Sequence, residues 1–215
     1  MGFGALMSNQ PLQLAVMISG GGRSLQNLID LIAAGKLNAR IAVVISSLSK
    51  VAGVERARAA GLPVEIIRRK DFADVASFSE AIVNVLDRYE VELAVQAGWT
   101  CMWHIPDRWY GRVMNIHPSL LPKYGGKGYF GHHVHEAVLA AGEAESGCTV
   151  HFANNEYDAG PIILQRVIPV LPDDTPDTLA ARVFEQECIA YPVAIRLFAE
   201  GRLRLRGDFV EIKAD

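Results

Sequence analysis

A doubly wound α/β fold, with a mostly parallel central sheet in one domain, is what this sequence predicts, on three observations. Short apolar runs rich in branched residues alternate with amphipathic helical stretches over the first hundred residues. The strand candidates are apolar without clean alternation, as strands are when helices cover both faces of a sheet. The chain has 215 residues, 50% of them hydrophobic, which is enough for one substantial core and short for two.

The first element is LQLAVMIS from Leu12, a buried-type strand that stops at Gly20-Gly21-Gly22. A helical period follows through Leu25, Leu28, Ile29 and Ile32, closed by Gly35. The second strand is Arg40 to Ser46, and an Ala- and Arg-rich helix runs from Val51 to Ala60. Val64 to Ile67, Phe72 to Tyr89 and Glu92 to Ala97 repeat the strand, helix, strand order. After Gly98 the rhythm breaks into a loop that holds all three tryptophans, Trp99, Trp103 and Trp109. These read as core side chains, with Trp103 alone lining a pocket. A fifth strand, Arg112 to Ile116, leads into a long connection, Pro118 to Gly131, with two prolines and four glycines. Connections of that length and composition are usually functional or mobile. A helix from His133 to Ala141, strands at Cys148 to Phe152 and Ile162 to Val170, and a long helix from Asp177 to Phe198 complete the domain. The last helix is preceded by the cap-like Asp174-Thr175-Pro176, and the tail from Arg202 to Ile212 supplies one or two short edge strands. The domain so defined spans 12–213, behind a leader at 1–11 that is expected to be flexible.

Charge and cysteine content narrow the function classes. With 24 Asp plus Glu against 21 Lys plus Arg, a net charge of -3, no basic excess draws the chain to nucleic acid or to an anionic membrane. Cys101, Cys148 and Cys188 are too few and too scattered for a disulfide framework, and no CxxC pair suggests zinc. No window reaches the roughly 18 apolar residues of a membrane span, so a soluble, cytoplasmic protein is expected.

Ser19-Gly20-Gly21-Gly22-Arg23-Ser24 sits between a strand and its helix, where free backbone N–H groups and the helix dipole favour an anion. Phosphate is the expected guest, with a charge-assisted contact from Arg23 and a hydrogen bond from Ser24, which would otherwise cap the helix. A dinucleotide fits less well: Leu25 replaces the third fingerprint glycine, and the second strand ends in Ser46-Ser47 instead of an acid. The lysine of a nucleotide-triphosphate loop is absent too.

Asn115 and His117 lie two residues apart at the end of a strand, hence on one face at the carboxyl edge of the sheet. An amide there can donate to an oxyanion, and an imidazole can carry a proton near neutral pH. Asp158, in the turn Glu156-Tyr157-Asp158-Ala159-Gly160-Pro161, is either an ordinary turn residue or a carboxylate facing His117. In the second case it should raise the imidazole pKa and help move a proton.

The series SGGGRSLQ, AGW, NIHPSLLPKY, HF followed by YDAGPIILQ, and RVFEQECIAYP resembles the phosphoribosylglycinamide formyltransferase family of purine biosynthesis from Leu14 to Leu203. That resemblance implies a Rossmann-like domain that moves a formyl group from 10-formyltetrahydrofolate, a co-substrate, to a primary amine without a metal. It implies Asn115, His117 and Asp158 as the catalytic trio and Gly22, Arg23 and Ser24 at the ribose phosphate, with Glu187 at the ribose. It also implies that Thr100, Cys101, Met102 and Trp103, with Asn154, Asn155, Glu156 and Tyr157, hold the folate head beside Asn115. Two residues depart from the family pattern: Cys101 stands where many relatives have arginine, and Phe184 where a polar ribose contact is often found.

The loop from Tyr124 to His135 is longer than usual in that family. Its His132, His133 and His135 are read as part of a mobile lid, because their spacing is not the helical i, i+4 of metal-binding HExxH enzymes. Partners are then small-molecule substrates only, with the chain acting as a monomer or homodimer. The competing readings are formyl transfer to a sugar-nucleotide amine, formyltetrahydrofolate hydrolysis, and a non-catalytic phosphate-binding module. A tRNA acceptor would normally bring a basic C-terminal domain, and a hydrolase an N-terminal regulatory one.

Overall fold

Seven strands order themselves β3-β2-β1-β4-β5-β6-β7 in a computed structural model that describes residues 10–214. The leader expected at 1–11 lies almost wholly outside the described residues. In chain order the strands are β1 Leu12–Ile18, β2 Ala39–Ser46, β3 Val64–Ile66, β4 Leu93–Gln96, β5 Val113–His117, β6 Glu145–Phe152 and β7 Ile162–Pro169. The first five are parallel, and β6 and β7 add to the sheet antiparallel.

Helices α1 (Arg23–Ala33), α2 (Ala52–Ala59), α4 (His132–Ala140) and α5 (Pro176–Ala199) pack on one face of the sheet, and α3 (Val75–Arg88) on the other. The pleat of β1 shows the division. Leu12, Leu14, Val16 and Ile18 belong to the core under α1 and α5, while Ala15 and Met17 face α3. Trp99, Trp103 and Trp109 share the α3 side, where one helix leaves sheet uncovered, and Trp99 stacks on Phe78 at 6.2 Å between ring centroids. This accounts for the tryptophan-rich break in the sequence rhythm: aromatic bulk from a loop takes the place of a second helix.

Three boundaries differ from the sequence reading. α3 begins at Val75, not Phe72, because Arg69–Asp71 form a 3-10 turn and Asp74 caps the helix by accepting the Ser77 N–H at 2.8 Å. β6 starts three residues before Cys148, since pairing with β7 extends it through Glu145. The tail forms β8 (Leu203–Arg206) and β9 (Phe209–Ile212), which pair only with each other in a two-stranded ribbon instead of joining the edge of the main sheet.

α5 is tied to the sheet and to α1 by polar contacts. The Tyr191 hydroxyl is shared between the carbonyls of Gln96 and Met114 at 2.9 and 3.1 Å, at the carboxyl end of β4 and in β5. Pro192 lies inside α5 and has no N–H for the carbonyl four residues earlier, that of Cys188. Asn27 of α1 supplies the missing donor, its Nδ2 reaching that carbonyl at 3.1 Å.

Asn27→Ala should therefore lower the unfolding free energy by about 1 kcal/mol, or a melting temperature by about 2–4 °C. In a Pro192→Ala background, where the helix offers its own N–H again, the same change should cost less. Denaturant titrations of the four proteins check this.

Candidate active site

The strand order reverses between β1 and β4, so a crevice opens at their carboxyl ends, where α/β sheets bind ligands. Ser19, just past β1, knits the rim. Its hydroxyl accepts from Ser47 at 2.6 Å and from the Thr100 N–H at 3.0 Å, and its own N–H reaches the Gly98 carbonyl. The glycine turn and the segment after β4 are thereby joined.

Register brings three polar side chains into one row across the sheet. Gln96 of β4 pairs with Asn115 of β5, and Asn115 with His151 of β6. The fourth group comes from the turn before β7. Asp158 holds a left-handed backbone (φ 53°), a conformation that Asp tolerates better than most residues. Gly125 makes room for it, since a Cβ there would meet Leu121 and come within 3.2 Å of the Asp158 Cβ, and Gly160 lets the turn close on β6, where a Cβ would collide with the Phe152 carbonyl.

Asp158 Oδ1 accepts from Asn115 Nδ2 at 3.2 Å, and Oδ2 accepts from the Gly126 N–H at 2.9 Å. His117 Nδ1 lies 3.5 Å from Oδ2, and His151 Nε2 lies 3.7 Å from Oδ1. The sequence-predicted trio thus converges. The hydrogen bonds also fix proton positions. His117 Nε2 faces the Tyr124 carbonyl at 2.7 Å and must carry a hydrogen, so Nδ1, toward Asp158, is the nitrogen that titrates. His151 Nδ1 faces the Phe152 carbonyl at 3.0 Å and is the donor there, leaving Nε2 to accept from Asn115 Nδ2 at 3.1 Å. Both hydrogens of the Asn115 amide are therefore engaged within the protein, and an oxyanion contact requires that one be exchanged.

The expected rise in the His117 pKa is corrected. Burial, at 4% exposure, lowers it below the ordinary imidazole value; the charge of Asp158 and the Tyr124 carbonyl offset this only in part, and His151 adds to the lowering. For Asp158, burial pushes upward, but the neighbouring His151 and His117 imidazoles and the Gly126 N–H together hold it below the usual carboxylate range. The resting pair is a carboxylate beside a largely neutral imidazole.

The crevice wall beside this cluster is built by Trp99, Thr100, Cys101, Met102, Trp103, Asn154, Glu156 and Tyr157, with Gln96, Asn115, His151 and Asp158 at its base. It is an open crevice with an enclosed volume of only about 60 Å³, polar at its base and aromatic along its wall. Two expectations are corrected here. Trp99 lines the crevice as well as Trp103, since the chain leaving β4 after Gln96 carries it along the crevice wall while it packs in the core. Asn155 does not line it: its side chain turns away to accept from the Ile105 N–H at 2.7 Å and to donate to the Ile105 carbonyl, bracing one wall against the other. Sequence reasoning missed Gln96 and His151. The polar interruption in β6, Thr149 and His151 on one face of a buried strand, was the available signal, but only the β5–β6 register gives it meaning.

At the other end of the crevice, Gly22 (φ 67°) is the residue before α1, and a Cβ there would stand 2.6 Å from the Gly53 Cα. α1 has no side-chain cap and no acid in its first turn, so the capping role expected of Ser24 is not seen. Arg23 lies over the Phe184 ring, with its guanidinium carbon 3.7 Å from the centroid. Glu187 faces the same space. Burial raises its pKa to about 7 against the lowering effect of Arg23.

The histidines of α4 divide. His132 and His133 are at the surface near Glu136 and Asp177, at 3.0 to 3.6 Å. Among the described residues no group of three or more His, Cys, Asp or Glu side chains is placed to hold a metal. His135 is buried (4% exposed), its Nδ1 has no partner, and burial, with smaller contributions from His132 and His117, lowers its pKa to about 4. No helix among the described residues is long and apolar enough to cross a membrane.

A doubly wound sheet with an amide, an imidazole and a carboxylate at its switch-point crevice defines the class, and residues 12–195 match the family described as formyl transferase. The chain belongs to the formyl transferase family. It is similar to the phosphoribosylglycinamide formyltransferase of Haemophilus influenzae, 40% identical over 198 residues covering 91% of each chain. Among solved structures it resembles glycinamide ribonucleotide transformylase 1 of Symbiobacterium toebii (TM-score 0.88, 38% identity, 95% of each chain). It also resembles the phosphoribosylglycinamide formyltransferase of Coxiella burnetii (TM-score 0.87, 39% identity, 94% of each chain).

A histidine buried neutral stabilises the fold above its unfolded pKa, and that contribution is lost as pH falls toward the lower folded value. With His135 at about 4 against the model-peptide 6.5, the loss from this residue between pH 7 and pH 5 is about 2 kcal/mol. Urea midpoints at the two pH values should show a smaller acid loss in His135→Leu than in the wild type.

Proposed function

We propose that the chain transfers the formyl group of 10-formyltetrahydrofolate to the amino group of 5-phosphoribosylglycinamide, as a cytoplasmic enzyme of small molecules, monomeric or homodimeric. The observation that carries this reading is the contact of Asp158 with both Asn115 and His117 at the base of the crevice. The relatives' names supply the formyl transfer and its acceptor, and the folate co-substrate is what the family resemblance implies. The free thiols of Cys101, Cys148 and Cys188 fit a reducing compartment.

In this reading the folate head lies against Thr100 to Trp103 and the 154–157 turn, and the phosphate of the acceptor lies at Gly22, Arg23 and Ser24. Glu187, a carboxyl pushed up to about 7, accepts from or donates to a ribose hydroxyl in either protonation state. The primary amine attacks the formyl carbon, a new N–C bond forms, and the carbonyl oxygen becomes an oxyanion. Asn115 turns one amide hydrogen from Asp158 or His151 to that oxygen. Asp158, ionised at rest, takes the proton that the attacking nitrogen sheds. The same proton returns to the departing folate nitrogen as its bond to the one-carbon unit breaks. His117 stabilises this exchange through Nδ1, because with Nε2 on the Tyr124 carbonyl it reaches the formyl oxygen only when that contact is exchanged.

A steady-state assay following folate absorbance should show turnover with phosphoribosylglycinamide; turnover with a sugar-nucleotide amine instead overturns the reading. Asn115→Ala should lose about 100- to 1000-fold in kcat, the usual cost of an oxyanion donor. Asp158→Asn should lose at least as much while folate still binds, which separates an enzyme from a binding module.

A further inference from the structure

Arg23 and Phe184 form a contact that the proposed reaction does not by itself require. Arg23 is the first residue of α1 and Phe184 lies two turns into α5. The guanidinium carbon is 3.7 Å from the ring centroid, well inside the roughly 6 Å within which such stacks attract. A guanidinium spends only its flat face in such a stack, and its five N–H donors point outward in the plane. Among the described residues Arg23 makes no hydrogen bond or ion pair to the protein, in contrast to Arg56 nearby, which is spent on the Gly21 carbonyl and Gln26. The anchored, unspent donors stand at a helix N-terminus with no side-chain cap and no acid. Glu187 projects from the same face of α5, three residues beyond Phe184.

We propose that Phe184 is a specificity-determining positioning residue: its ring holds the Arg23 guanidinium beside the glycine turn, so that the free N–H edge meets a phosphate monoester without first being ordered. This rests on the reading that places the acceptor's phosphate at Gly22 to Ser24. An arginine already immobilised has less rotamer freedom to lose when the anion arrives, so the ring contributes to affinity for the phosphorylated substrate without touching the reacting atoms. The same stack explains how the chain manages with a phenylalanine where the resemblance leads one to expect a polar ribose contact: the aromatic acts through Arg23, and Glu187 is left to meet the sugar.

The test compares the wild type with Phe184→Leu, Phe184→Tyr and Arg23→Gln, alone and combined, by kinetics and by calorimetric titration with ribose 5-phosphate. Phe184→Leu should raise the KM for phosphoribosylglycinamide and the Kd for ribose 5-phosphate by about three- to thirtyfold, with kcat and the folate KM within about twofold. Phe184→Tyr, which keeps the ring, should restore both. Arg23→Gln should have a smaller effect in the Phe184→Leu background than in the wild type. Unchanged phosphate affinity in Phe184→Leu, equal loss in kcat and folate KM, or full additivity of the two changes would each overturn the proposal. Failure of the wild-type chain itself to bind ribose 5-phosphate would instead remove the phosphate-site reading beneath it.

Discussion

Two oxygen atoms of one buried carboxylate gather four groups from three segments of the chain: Asn115 within β5 and His117 at its end, His151 from β6 and the Gly126 amide from the long connection. An ionised carboxylate removed from water costs several kcal/mol unless its lone pairs are met. The surroundings of Asp158 are arranged to meet them. Its left-handed backbone, the absence of a side chain at Gly125 and the Asn115 amide hydrogen on Oδ1 go with seating that group where it is.

The same enclosure decides the state of the histidines. His117, His135 and His151 crowd the low-dielectric region between β5, β6 and α4, and three imidazolium ions there would repel one another with little solvent to screen them. Burial lowers His117 and His135, and the single carboxylate offsets this for His117 alone. His117 is therefore a base held ready beside a carboxylate, not a standing cation. The Tyr124 carbonyl fixes which nitrogen titrates, so the long connection contributes to the chemistry through its backbone as well as its length.

The acceptor side of the crevice depends on α5 in a comparable way. Tyr191 pins that helix to the carboxyl end of β4 and to the start of β5, and Asn27 pins it to α1 through the carbonyl that Pro192 leaves open. With both ends of the crevice referenced to one helix, Phe184 and Glu187 hold fixed positions against Arg23 and the glycine turn.

How much of this was legible in the sequence depends on the range of the interaction. Strand and helix identity, the glycine turn, the Asn115 and His117 pair and the Asp158 turn were all readable, because hydrophobic period, turn chemistry and the alternation of side chains along a strand are local properties. The convergence of Asp158 on that pair stood as one of two readings of its turn, and resemblance favoured it. Residues that matter through register or burial were not readable: Gln96 and His151 join the row only when β4, β5 and β6 align, and Asn155 leaves the crevice only because Ile105 lies opposite. The upward pull of Asp158 on the His117 pKa was readable, but the net direction was not, for the same reason. A neighbouring charge can be guessed from a motif, whereas the solvent withdrawn around it is a property of the packed chain, and here the withdrawal of solvent outweighs the charge.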